Sequence, residues 1–166
     1  ELATALRMNE TASLCVPGGT TPGPVFDVLS GVKLDWARVT VFLNDERWVP
    51  ETSDRSNGRL LRSRLLKGEA AAAQFVPLYA DAPEPEAAIA NLTAAIAPNL
   101  PISVLLLGMG ADMHTASLFP GADRLAEALA PDAPVLVPMR APGAGEPRVT
   151  LSARVLADAM AIHILI

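Results

Sequence analysis

Apolar positions in this chain fall in short, nearly uninterrupted runs rather than in alternation with polar ones. The clearest lie at 13–16, 39–43, 102–107 and 160–166, with weaker runs at 75–79, 135–137 and 148–151. Runs of this kind mark strands covered on both faces, as in a parallel sheet. Between them the pattern turns helical or gives way to loops rich in Gly and Pro. A helix is predicted over 22–30, with Thr21 as N-cap, Pro22 at its first position and Gly31 after its end. A second is predicted from Ser56 to just before Gly68. A third, Ala-rich, spans about 83–97, with Glu84 and Glu86 in its first turn and Pro98 as its stop. The weakly patterned 130–147 segment reads as a connector. Strands alternating with helices predict βαβ units, hence an α/β fold: a Rossmann-like three-layer sandwich with a mostly parallel sheet.

Composition narrows what such a fold can be doing. The 166 residues suffice for one domain over 1–166, and 51% hydrophobic content calls for an extensively buried sheet. A formal charge of −5 with no run of Lys or Arg speaks against a nucleic-acid or anionic-membrane surface, so any anionic ligand must be held by a local cation cluster. The single cysteine, Cys15, sits in an apolar run and reads as a small core residue. No apolar segment reaches the roughly 18 residues needed to span a bilayer, and no signal-peptide pattern opens the chain, so a cytoplasmic protein is expected. The chain opens at Glu1 and stops inside the apolar run 161–166. A free carboxylate on a buried strand is costly, so truncated flanks are expected.

Three loops each follow a predicted parallel strand, and ligands of open α/β sheets bind where such strands end. The first reads PGGTTP, residues 17–22. Gly18 and Gly19 let the backbone approach a ligand, while Thr20, Thr21 and the following helix start offer hydroxyls and N–H groups suited to phosphate. It is neither a Walker A loop nor a GxGxxG fingerprint. The second, NDERWVPETSDRSNGR over 44–59, offers Asp45, Glu46, Arg47, Arg55 and Arg59. Arginine's planar fork suits phosphate, and Asp45 could orient a sugar hydroxyl or a side chain.

The third loop, GMGADMHTASLFPG over 108–121, carries the chemistry. Gly108 and Gly110 allow backbone N–H groups to point inward, Asp112 lies two residues before His114, and an ordinary histidine pKa near 6.5 suits a general base at neutral pH. Asp112 is placed to support either the loop or the histidine. Ser117, three residues beyond His114, is a possible nucleophile but lacks a GxSxG elbow. Asp112 with His114, or Asp45 with Glu46, are possible metal ligands but lack HExxH-like spacing. His163, in an apolar strand without polar company, reads as structural.

Taken together, PGGTTP, NDERWVP followed by SNGR, GMGADMHTASLFPG and the later EPRVTL at 146–151 resemble the 6-phosphogluconolactonases over nearly the whole chain, with SLFPG the most specific part. The related glucosamine-6-phosphate deaminases and isomerases share the sheet and a similar histidine loop but diverge after the histidine. The resemblance implies hydrolysis of 6-phosphogluconolactone to 6-phosphogluconate on a Rossmann-like fold, with no required cofactor and a phosphorylated sugar lactone as small-molecule partner. A monomer or weak homo-oligomer is expected. The family's catalytic histidine corresponds to His114, with Asp112 beside it. Phosphate contacts correspond to Gly18, Gly19, Thr20, Thr21, Arg47 and Arg148; Asp45 and Asn57 fall where the sugar pocket is lined, and Gly110 belongs to the loop that supplies N–H donors. Met113 stands where the family usually has glycine, so a positive φ there would strain the loop. Two other functions draw on the same residues: a sugar-phosphate isomerase or deaminase, which needs a second acid or base, and a non-catalytic sugar-phosphate-binding domain.

Overall fold

The long apolar runs become the strands of one parallel sheet, and the computed structural model describes it over residues 1–166. In chain order the elements are α1 (Leu2–Met8), β1 (Ala12–Val16), α2 (Gly23–Leu29), β2 (Val39–Leu43), β3 (Asp45–Arg47), α3 (Asn57–Arg64) and β4 (Gln74–Val76). There follow α4 (Ile89–Ile96), β5 (Val104–Gly108), α5 (Leu125–Leu129), β6 (Leu136–Met139), β7 (Arg148–Leu151), α6 (Ala153–Ala157) and β8 (Ile162–Leu165). The main sheet has the order β4-β2-β1-β5-β8 with every neighbouring pair parallel. β1 and β2 are buried at every position, as expected of mainly apolar strands without alternation, and Ser13 and Thr40 are buried with the rest. Phe26, Trp36, Phe42 and Leu105 are among the fully buried side chains, and each such residue contributes roughly 1.5–3 kcal/mol by leaving water. Cys15 is fully buried in this core. No helix is long and apolar enough to cross a membrane.

A second sheet, β3-β7-β6, is antiparallel and small. Only Asn44 separates β2 from β3, so the chain leaves the main sheet at once and pairs with β7, about a hundred residues later. Asn44 anchors this departure. Its N–H donates to Val16 O, its Nδ2 to Leu106 O, and its carbonyl accepts from Leu151 N. The end of β2 is thereby tied to β1, β5 and β7.

Several expectations need correction. The helix expected over 22–30 starts at Gly23, with Pro22 in the flanking position and no side-chain cap from Thr21. The segment 83–97 is broken into a 3₁₀ turn (Pro85–Ala87), α4, and a second 3₁₀ turn (Ala97–Asn99) containing Pro98. Proline's missing N–H and fixed φ favour such interruptions. Glu84 and Glu86 bind the Arg140 guanidinium at 2.7 and 2.6 Å instead of supporting one long helix. The strand read at 160–166 forms β8, the last strand in the order of the main sheet, and Ile162, Ile164 and Ile166 are 42%, 52% and 92% exposed in this chain. His163 is half exposed and pairs with Glu1, rather than lying in the core. α1, α5, α6 and β3 were missed because none exceeds seven residues, too few for a period to show.

Candidate active site

Because β1, β2 and β5 run parallel and adjacent, the loops that follow them converge, and a cleft opens at their C-terminal ends. Its lining includes Gly18, Gly19 and Thr21 after β1, Asn44, Asp45 and Arg47 after β2, and Met109, Gly110 and His114 after β5. Asn57 at the start of α3 and Arg148 on β7 complete the walls. Thr20, expected to contact ligand, is exposed outside this lining. Gly18 is pressed against Asn57: a Cβ there would lie 2.0 Å from Asn57 Oδ1, so only glycine lets the first loop close on α3.

The histidine side is a tight turn. Met113 N–H donates to Gly110 O, Gly110 N–H donates to His114 O at 2.9 Å, and His114 N–H reaches Asp112 Oδ1 at 3.3 Å. Asp112 lies outside the cleft lining, with its Oδ1 2.5 Å from His114 Nδ1. The hydrogen bond from His114 holds the Asp112 carboxyl below the usual carboxylate range, so it is ionised and can only accept. In the neutral imidazole the tautomer matched to this acceptor has its proton on Nδ1 and its lone pair on Nε2. Of the two supporting roles open to Asp112, it fills both, binding the ring and the loop backbone. Gly110 lines the cleft, but its N–H is already engaged. Its structural part is steric, since a Cβ there would lie 2.3 Å from His114 Cε1. Backbone N–H groups of Gly18, Gly19 and Met109 have no acceptor within the protein.

This loop is also strained. Met113 (φ 64°) and Ala116 (φ 49°), which flank His114, are the only non-glycine residues with positive φ. Each costs roughly 1–2 kcal/mol relative to a right-handed conformation. The positive φ anticipated at Met113 is present, and its side chain points away from the protein, 76% exposed. Strain of this kind persists only where the surroundings over-determine it, and it clusters at functional sites.

The opposite wall is cationic. The β3–β7 register sets Arg47 directly across from Arg148. Like charges so paired repel each other. Neither side chain is fully used: Arg47 Nη1 donates to Arg55 O, Arg148 Nη2 to Ala144 O at 3.3 Å, and both Nε atoms are buried without partners. Burial pulls the Arg148 guanidinium below its ordinary pKa; Asp45 opposes this and Arg47 adds to it. Such unspent donors match phosphate geometry.

The two carboxylates of the second loop diverge. Asp45 lines the cleft, yet it is buried and takes a 2.5 Å hydrogen bond from Ser117 Oγ, with Arg148 Nη1 at 3.8 Å. Burial raises its pKa, against the pull of Ser117 and the arginines. Ser117, fully buried on Asp45, makes no hydrogen bond to His114, so it is not arranged as a nucleophile. Glu46 turns away and receives the N–H groups of Arg47, Asn57 and Gly58 and the Ser56 hydroxyl, fixing the start of α3. Trp48 pins the loop from behind, its Nε1 donating to Ala82 O and its ring 5.0 Å from that of Tyr79. Sequence reasoning gave no role to Asn44 or Phe119. Asn44 stands in the quoted NDER motif, but nothing in the pattern tells that it ties three strands together.

A family model described as glucosamine-6-phosphate isomerases/6-phosphogluconolactonase matches residues 1–166. A 6-phosphogluconolactonase of Rhizobium meliloti (strain 1021) is 51% identical over 167 residues, spanning 98% of this chain and 72% of that one. A 6-phosphogluconolactonase of Pseudomonas aeruginosa is 47% identical, over 95% of this chain and 67% of its own length. The crystal structure of a 6-phosphogluconolactonase from Shewanella baltica OS155 superposes with TM-score 0.93 at 36% identity, over 98% of this chain and 70% of the other. A monomeric glucosamine-6-phosphate deaminase, 13% identical with TM-score 0.75 over 98% of this chain and 73% of its own, shares the fold alone. Matched along its whole length in sequence and in structure, the chain belongs to the glucosamine-6-phosphate isomerase/6-phosphogluconolactonase family.

Proposed function

We propose that this protein hydrolyses 6-phosphogluconolactone to 6-phosphogluconate, with His114 as general base and Arg47 and Arg148 as the phosphate anchor. The activity is that of the relatives named above. The observation that carries the assignment of residues is the pairing of an Asp112-oriented imidazole with a cross-strand arginine pair in one cleft. A δ-lactone is a reactive ester whose leaving alcohol stays tethered in the ring, so the protein need supply little beyond a base, oxyanion donors and orientation.

His114 Nε2 takes a proton from water as its oxygen attacks C1, and Asp112 stabilises the imidazolium. The carbonyl oxygen becomes an oxyanion, for which the unengaged N–H groups of Met109, Gly18 and Gly19 are available donors. The tetrahedral intermediate collapses, the bond from C1 to the ring oxygen breaks, and His114 returns its proton to that oxygen. Anchoring the remote phosphate on Arg47 and Arg148 holds C1 in reach, with Thr21 and Asn57 also lining the cleft. A charged substrate of this kind does not cross membranes, which fits action in the cytoplasm. The isomerase reading needs a second free acid or base, and Asp45, the carboxylate that lines the cleft, is committed to Ser117 and Arg148. A binding-only role would leave the ordered Asp112–His114 pair without a use.

The test is a coupled assay in which glucose-6-phosphate dehydrogenase makes the lactone in situ and acid release is followed. Wild type should exceed spontaneous hydrolysis, and His114→Ala should lose roughly 10²- to 10⁴-fold, the usual share of a positioned base. Wild-type activity in His114→Ala would refute the assignment of the base. No acceleration by wild type, with 6-phosphogluconate still stabilising the fold, would favour the binding-only reading.

A further inference from the structure

The SLFPG segment is the most specific part of the chain's motif, yet the reaction above gives Phe119 no part. Phe119 does not line the cleft. Its ring centroid nevertheless lies 4.3 Å from that of His114, tilted by 40°, and the Arg148 Cζ lies 5.1 Å over the same ring. One aromatic side chain therefore touches the base on one wall and the arginine on the other.

The contact with Arg148 holds a cation over a π face without using any of its hydrogen-bond donors. Arg148 has few other restraints: a 3.3 Å bond to Ala144 O, Asp45 at 3.8 Å, and a buried Nε with no partner. An arginine fixed by hydrogen bonds would have fewer left for an anion; fixed by a ring, it keeps them. For His114, Asp112 fixes Nδ1, which still permits rotation about that contact; a ring packed alongside limits it, leaving Nε2 at a set angle to the cleft.

We propose that Phe119 is a positioning residue that sets the His114 base and the Arg148 anchor relative to one another. This rests on the reaction proposed above. Its consequence is that loss of the ring harms two kinetic parameters for two separable reasons. KM for the phosphorylated lactone rises because Arg148 is less ordered, and kcat falls because the imidazole is less well aimed.

The test compares Phe119→Leu and Phe119→Trp with wild type and His114→Ala, on 6-phosphogluconolactone and on the phosphate-free δ-lactone of gluconate, with thermal melts of each protein. In Phe119→Leu, KM for the phosphorylated lactone should rise about three- to tenfold, the size of a partly desolvated cation–π contact. Its kcat should fall about tenfold on both lactones, while the KM effect should vanish on the phosphate-free one. Phe119→Trp, which keeps a π face, should stay within about threefold of wild type. Wild-type kcat and KM in Phe119→Leu at unchanged melting temperature would overturn the proposal. So would equal losses in Leu and Trp variants that follow their melting temperatures. If His114→Ala is as active as wild type, the assignment of the base fails instead; if His114→Ala is inactive and Phe119→Leu is not impaired, only the positioning role fails.

Discussion

The two walls of the cleft are built by opposite means. The arginine wall is a hydrogen-bonded antiparallel ladder, Asp45–Arg47 against Arg148–Leu151, whose register alone sets Arg47 opposite Arg148. The histidine wall is a turn with two left-handed non-glycine residues, held by Gly110, Asp112 and the ring of Phe119. An anchor for a remote phosphate needs charges at fixed spacing, which a ladder supplies without strain. A base must present one nitrogen edge into the cleft, and the turn achieves that at a cost of about 1–2 kcal/mol per strained residue.

The largest effects should come from the residues that carry this contrast. Asp112→Asn replaces the acceptor for Nδ1–H and should lower kcat by about 10²-fold with little change in KM, measured in the coupled lactone assay. Arg148→Ala should raise KM for the phosphorylated lactone by roughly 10- to 100-fold, the worth of a charge-assisted contact. Gly110→Ala drives a methyl into the His114 ring. It should reduce kcat by at least about tenfold while the melting temperature moves little, because the turn is at the surface.

Stability effects are smaller. Met113→Gly relieves a left-handed methionine and should raise the melting temperature by roughly 2–4 °C, about 1 kcal/mol for a chain of this size. The pH dependence has opposing parts. Asp112 is shifted down, so its stabilising contribution is complete above the ordinary carboxylate value near 4 and is lost as pH falls through its folded value. Asp45 and Glu46 are shifted up by burial, so the folded protein binds protons the unfolded chain has released, and stability declines as pH rises from about 4 through their folded values. Asp45→Asn removes one such group and should flatten that decline in urea titrations.

The same contrast explains what the sequence made legible. Convergence of the three loops could be read because each follows a long apolar run, and Asp112 could be read as a support for either the loop or His114 because it lies two positions before the histidine. The Arg47–Arg148 pairing could not. Its strands are three and four residues long, β3 is the polar tripeptide Asp-Glu-Arg, and about a hundred residues lie between them. Asp45 was singled out for the sugar pocket and Glu46 was not; strand alternation sends the first to Ser117 at the cleft and the second to α3, a structural part the sequence did not reveal. Thr21 read as a cap because the choice between it and Pro22 depends on backbone angles.

The most direct test of the two-walled account is the preference for phosphorylated over phosphate-free lactone, taken as the ratio of kcat/KM values, in wild type, Arg148→Ala and Asp112→Asn. The account predicts that Arg148→Ala collapses this ratio by roughly 10-fold or more, while Asp112→Asn lowers both values together and preserves it. An intact preference in Arg148→Ala, or a preference lost equally in Asp112→Asn, would contradict the division of the cleft into an anchor and a base.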